Sequence, residues 1–137
     1  MSLMTDRTTT LMMERLRAIA ARKERFSYDV RGDSYVNTDL IVAYSIENAG
    51  KPVDLEKVIA HAIANDSIVS GQRLPDGHVV YTSCRLFTDM QNAERFAREQ
   101  KQTSVYNWNR YAEMPIKGAA VAVSMDSDDD PEQVSES

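Results

Sequence analysis

Cysteine is nearly missing from this chain: Cys84 stands alone, so no internal disulfide can form, and with His61 and His78 as the sole imidazoles no all-Cys/His zinc centre can assemble. That usage fits a reducing cytoplasm, while carboxylate-rich metal sites stay open. Glycine (5) and proline (4) are sparse over 137 residues, which excludes collagen-like and low-complexity chains. No apolar run approaches the roughly 18 residues of a membrane span. A Gly-rich phosphate loop, a His-x-x-x-His or His-Glu-x-x-His pair and a Gly-x-Ser-x-Gly elbow are all missing. Those absences weaken an enzymatic reading without closing it.

What is present is ordinary globular composition, 42% hydrophobic and 27% charged, in a chain long enough for one independent core. The net charge of −5 is unevenly placed. Of 21 acids, six (Asp126, Asp128, Asp129, Asp130, Glu132 and Glu136) lie beyond Lys117, where no base follows, leaving 15 against all 16 bases in residues 1–117. Three regions are expected: a disordered start over 1–7 that includes a cloning remnant before a native Met4, a single α+β domain over 8–124, and a disordered acidic tail over 125–137. The tail reads as a solubilising end, a partner-binding segment or a mask for a basic surface.

Thr8, Thr9 and Thr10 offer caps ahead of Leu11, Met12, Leu16, Ile19 and Ala20, which form one apolar stripe on a first helix of about 10–24. Its other face, with Arg15, Arg17, Arg22 and Lys23, is the most basic part of the chain. Residues 26–36 read as strand, turn and strand around Arg31-Gly32-Asp33, a tripeptide that serves a tight turn. Leu40, Ile41, Ala43, Tyr44 and Ile46 predict a second helix stopped by Ala49-Gly50-Lys51-Pro52. Asp54 caps a third, whose Leu55, Val58, Ile59 and Ala62 fall at i, i+3, i+4 and i+7. A hairpin then turns at Pro75-Asp76-Gly77. Thr88 and Gln91 form a capping box for a fourth helix of about 89–101. Ser104–Tyr111 and Ile116–Ser124 predict two strands joined by Ala112-Glu113-Met114-Pro115. The expected class is α+β, with about four helices, two short hairpin or strand pairs and a winged-helix-like centre.

That centre carries a resemblance. Ala49-Gly50-Lys51-Pro52-Val53-Asp54-Leu55-Glu56 resembles the phrase joining the first two helices of many winged-helix modules, and Pro75-Asp76-Gly77-His78-Val79-Val80-Tyr81 resembles a wing. The likeness covers residues 38–83 and implies nucleic-acid binding, although Asp66–Gln72 holds neither a recognition helix nor a base-reading set. Leu55–Thr82 and the helix after it are more faintly similar to the segment preceding the helicase part of conjugative relaxases, where a Tyr-Thr pair like Tyr81-Thr82 ends a hairpin. This second likeness implies a mobile-element origin and carries no catalytic residue.

His61 lies off the apolar stripe and reads as a solvated histidine. His78 and Cys84 are too far apart along one strand to form a dyad, and Cys84 reads as a small buried hydrophobe. Tyr106, Trp108 and Arg110 share one strand face; turned outward they make an anchor for a partner, turned inward they are core. The leading expectation is a small non-catalytic bacterial binding protein of the cytoplasm that contacts another protein through Tyr106, Trp108 and Arg110, without cofactor, metal or membrane. A homodimer through an edge strand among 104–124 is a further expectation. The alternatives are a nucleic-acid-binding protein using Arg15, Arg17, Arg22, Lys23, Arg73 and Arg85, with the acidic tail masking the basic helix, and a small enzyme without a recognisable motif.

Overall fold

The computed structural model describes residues 6–46 and 53–116. In chain order the elements are α1 (Asp6–Arg22), β1 (Arg25–Asp29), β2 (Ser34–Tyr35), β3 (Leu40–Ala43), α2 (Leu55–Ala64), β4 (Ile68–Arg73), β5 (Val79–Phe87), α3 (Met90–Glu99), β6 (Ser104–Asn107) and β7 (Ala112–Pro115). All strands join one antiparallel seven-stranded sheet in the order β2-β1-β4-β5-β3-β6-β7. The class is α+β, but the expected four-helix arrangement with a winged-helix-like centre gives way, among the described residues, to three helices on a curled half-barrel sheet.

The decisive difference is at Leu40–Ala43, expected as helix and found as a strand between β5 and β6. The segment is apolar at every position because both of its faces are buried: Leu40 and Val42 pack with α3, while Ile41 packs with Cys84, Ile68 and Trp108. A strand buried on both sides loses its alternation and reads like a helix, and the adjacent β-branched Ile41 and Val42 favour the extended form. Residues 38–83 therefore run strand, helix, hairpin. The expected stop at 49–52 lies outside the described residues.

At the C-terminal end, Ala112–Pro115, expected as a linker, is itself the edge strand β7, paired with β6 from Ser104↔Pro115 to Asn107↔Ala112. An edge strand tolerates a proline because its outer side needs no donor. The second strand expected over 116–124 lies outside the described residues except for buried Ile116. Asp89, rather than Thr88, caps α3, accepting from the Asn92 amide at 3.1 Å. Leu11 is exposed, so the working stripe of α1 is Leu16, Ile19 and Ala20, flanked by Met12 and Met13.

α1 begins at Asp6, so Thr8, Thr9 and Thr10 lie inside it rather than capping it, whereas three other local expectations hold. Asp54 caps α2 by accepting from the Lys57 amide at 2.9 Å, and Leu55, Val58, Ile59 and Ala62 are its buried residues. The β4–β5 hairpin turns through Pro75-Asp76-Gly77, closed by Leu74 N to His78 O at 2.7 Å, with Gly77 at φ +95. The β1–β2 turn is an Asx turn in which Asp29 Oδ1 accepts from the amides of Arg31 and Gly32 at 3.1 and 3.0 Å.

The three helices share one face of the sheet. Phe26, Tyr28 and Val69 meet α1 and α2, and Leu40, Val42 and Val105 meet α3. The other face carries Arg25, Ser27, Ser70, Thr82, Cys84, Ile41 and Tyr106, and the sheet curls toward it. On a flat sheet β1 and β6 would stand four spacings apart, roughly 19 Å. Instead the Arg25 guanidinium lies 4.1 Å from the Tyr106 ring centroid, and Ser27 Oγ accepts from the Trp108 indole at 3.0 Å. Side chains from the two ends of the sheet thus meet across its concavity.

Candidate functional site

The concave face holds two adjoining cavities that share Arg25 and Ser27. The inner one, about 140 Å³, is floored by Ser27, Ser70, Thr82 and Cys84 and walled by Gln72, Gln102, Tyr106 and Glu113. The outer one, about 190 Å³, opens between the β1–β2 end of the sheet and the β6–β7 turn and is bordered by Lys23, Tyr35, Asn37, Trp108 and Tyr111. The groove therefore has a polar interior and an aromatic mouth.

The floor is a connected hydrogen-bond chain. The Trp108 indole N–H donates to Ser27 Oγ, the Ser27 and Ser70 hydroxyls lie 2.6 Å apart, and the Cys84 thiol donates to Ser70 Oγ at 3.4 Å. Burial pushes the Cys84 thiol above its ordinary value, the partial opposition of the Ser70 and Thr82 hydrogen bonds notwithstanding. A thiol held protonated in this way is a poor nucleophile, so the floor suits hydrogen bonding better than covalent chemistry.

Arg25 crosses this floor. Its side chain is 24% exposed, it stacks on Tyr106, and its ion-pair partner Glu113 stands 3.7 Å away, beyond hydrogen-bond reach. Glu113 turns its other oxygen to the Ser104 hydroxyl at 2.6 Å.

The residues expected to anchor a partner separate here. Trp108 is 8% exposed and belongs to the core beneath the groove, whereas Tyr106 is half-buried under Arg25 and Arg110 is exposed. Trp108, Asn109 and Arg110 form a turn rather than a strand. Asn107 Oδ1 accepts from the Asn109 and Arg110 amides at 2.9 and 3.2 Å, and the Trp108 amide donates to the Asp39 carbonyl at 2.9 Å. The Asn107 oxygen is thereby spent on the turn, and Asn109 Oδ1 accepts from the Asp39 amide at 3.2 Å. Beyond them Tyr111 takes φ +52 and is 73% exposed, its ring edge-on to Trp108 at 6.1 Å.

Of the six cations considered for phosphate contact, five lie on or against α1 and Arg85 lies apart. Arg15 pairs with Asp33 at 2.5 Å, Arg22 donates to the Tyr35 hydroxyl at 3.3 Å, and Lys23 lies 5.2 Å from the Tyr35 centroid. Arg73 donates to the Ala20 carbonyl at 3.2 Å, and Arg85 reaches Asp66 at 3.0 Å near α2 and α3. Arg17 is exposed on α1. The Asp33 carboxyl is held below its ordinary value by the Tyr28 hydroxyl and then by Arg15.

One cluster was missed in the sequence. His61, expected in solvent, is half-buried: its Nδ1 lies 2.7 Å from Ser83 Oγ, and its ring packs edge-on to Tyr44 at 4.8 Å. Tyr44 donates to Asp66, and burial followed by that bond pushes its hydroxyl up to about 12. Desolvation lowers the His61 imidazole, with partial opposition from the Asp66 charge. The His–Ser pair resembles half of a triad, but Ser83 is 0% exposed and Asp66 bonds Tyr44 rather than His61. A buried hydroxyl offers substrate no approach, so this cluster is a structural tie between α2 and the sheet.

Among the described residues, no group of three or more His, Cys, Asp or Glu side chains could hold a metal, and no helix is long and apolar enough to cross a membrane. No protein-family model matches the chain, and neither does a curated protein or a solved structure.

Proposed function

We propose that the chain is a non-catalytic binding protein that receives an extended segment of another protein in the groove on its concave face. The observation carrying this reading is Tyr111, a large ring kept 73% exposed on a left-handed backbone at the groove mouth. That conformation costs a non-glycine residue on the order of 1–2 kcal/mol, and such strain concentrates where side chains are held for use. Tyr35, 41% exposed, lies on the opposite side of the same opening, so the mouth presents the residue types enriched at protein contacts. Of the cations on or against α1, Arg15 is paired with Asp33 and Arg73 is spent on the Ala20 carbonyl, which favours the groove over a nucleic-acid surface.

The test is selection from a random-peptide library followed by titration of the selected peptides into Tyr111→Ala. Micromolar binders that perturb groove amides and weaken at least tenfold in the variant support the reading. Binders that map to the helical face, or that ignore the variant, overturn it.

A further inference from the structure

Arg25 is the partly buried cation of the groove, and its pairing is incomplete. A guanidinium has five N–H donors in a planar fork. Three-quarters of this side chain is out of solvent, yet among the described residues its guanidinium contacts are the face of Tyr106 at 4.1 Å and Glu113 at 3.7 Å, neither of which accepts a hydrogen bond from it. The aromatic face binds one side of the guanidinium plane and leaves the fork edge available. Around that edge the cavity supplies neutral partners, Ser27, Ser70, Gln72 and Gln102, and one acid, Glu113. Burying a charge is tolerated when it is paired and hydrogen-bonded, and here the pairing is incomplete.

We propose that the groove contains a carboxylate-binding subsite in which the Arg25 fork takes a ligand carboxylate, with Glu113 as the competing internal acid. The proposal rests on the groove being the binding surface and names what it reads. The two-oxygen geometry of a carboxylate matches the fork edge, and Tyr106 holds the plane in place from one side. Glu113 keeps its Ser104 hydrogen bond when the ligand enters, because that bond uses Oε2 whereas Oε1 faces Arg25. An aromatic or planar body attached to the carboxylate reaches the outer cavity, where Trp108 and Tyr111 line the wall. Lys23 on the same border adds a second positive charge that repels cationic ligands.

Amide chemical shifts of the full chain titrated with benzoate provide the test, with benzamide as the neutral isostere and phenyl phosphate as the tetrahedral oxyanion. Saturable shifts confined to β1, β4, β6, β7 and the turn between the last two are expected for benzoate and not for benzamide. Arg25→Gln should abolish them, Arg25→Lys should weaken binding at least tenfold because a point charge replaces the fork, and Glu113→Gln should tighten it at least threefold. Equal responses to benzoate and benzamide, or unchanged binding in folded Arg25→Lys, would overturn the subsite. Stronger binding of phenyl phosphate than of benzoate would overturn the carboxylate assignment. A pair of selected peptides, one with an internal acidic residue and an amidated end, the other with a free C-terminus, identifies the source of the carboxylate. Peptides that occupy the groove without charge dependence would refute this subsite and leave the groove reading intact. Benzoate binding through Arg25 without any peptide binding would do the reverse.

Discussion

The same strands present opposite chemistry on their two faces. Toward the helices they offer Phe26, Tyr28, Val69, Val42 and Val105, each 5% exposed or less. Toward the concavity they offer Ser27, Ser70, Thr82, Arg25 and Glu113, and none of the described helices covers them. Period-two alternation makes such a division available to any strand, but here the polar side is enclosed by curvature instead of being released to water. The helical face is closed by apolar packing, and the concave face is a hydrogen-bonded polar floor crossed by Arg25, whose guanidinium lies 3.7 Å from Glu113. Substitutions should therefore separate stability from binding according to the face they touch.

The largest expected effect is on the helical face, at Gly71. A Cβ there would lie 2.3 Å from Cε2 of the fully packed Phe26 ring. Gly71→Val should destabilise by about 3 kcal/mol through overpacking, read as a lowered urea midpoint, and Phe26→Leu in the same chain should restore part of it. Ile59→Ala, on the buried stripe of α2, should cost a comparable ~3 kcal/mol by cavity formation. Across the sheet, Ser70→Ala removes one member of the hydroxyl chain and should cost only about 1 kcal/mol. A concave-face loss as large as that of Ile59→Ala would break the division.

Trp108→Phe tests the point where the faces are tied together. The substitution keeps an aromatic ring but deletes the donor to Ser27, which retains Ser70 at 2.6 Å. A loss of about 1–2 kcal/mol is expected, together with altered amide shifts at Ser27 and Ser70. Unchanged shifts there would mean that the indole does not help hold the sheet curled.

How far the sequence could be read follows the same division. The helix-facing pattern of α2, its Asp54 cap and the Pro-Asp-Gly turn were legible because each depends on neighbours within a few residues. β3 was not, since burial on both faces erased the alternation that marks a strand. β7 was hidden by Pro115, which an edge position accommodates. Tyr106 and Trp108 were singled out by composition, yet which of them is buried depends on curvature that brings β1 to β6 across three intervening strands. Arg25 is inconspicuous in the sequence, one more base just after α1, because its setting comes from Tyr106 and Glu113, far away in the chain.

A smaller, pH-dependent effect belongs to His61. Its imidazole is lowered by desolvation in the fold while the unfolded chain keeps the ordinary value near 6.5. Below that value the unfolded chain takes up a proton that the fold resists. This contribution is thus fully present above about pH 6.5 and is lost as pH falls through it. The urea midpoint should drop between pH 7.5 and 5.5, and His61→Gln should make the drop shallower. An identical drop in the variant would assign the dependence to other groups.

The smallest stability change is expected at Tyr111, where it tells most about function. Replacement by asparagine relieves a backbone that tyrosine occupies at φ +52, a gain of order 1 kcal/mol because asparagine tolerates this region. It also removes the edge contact with Trp108, a loss of about 0.5–1.5 kcal/mol. The two nearly cancel, so the urea midpoint of Tyr111→Asn should stay within about 1 kcal/mol of the parent. Peptide binding should fall at least tenfold in the same protein, since the ring at the mouth is gone. A residue kept only for folding would show the opposite pattern, measurable destabilisation with binding intact. That outcome would move Tyr111 from the mouth of a binding groove to the structural side of the molecule.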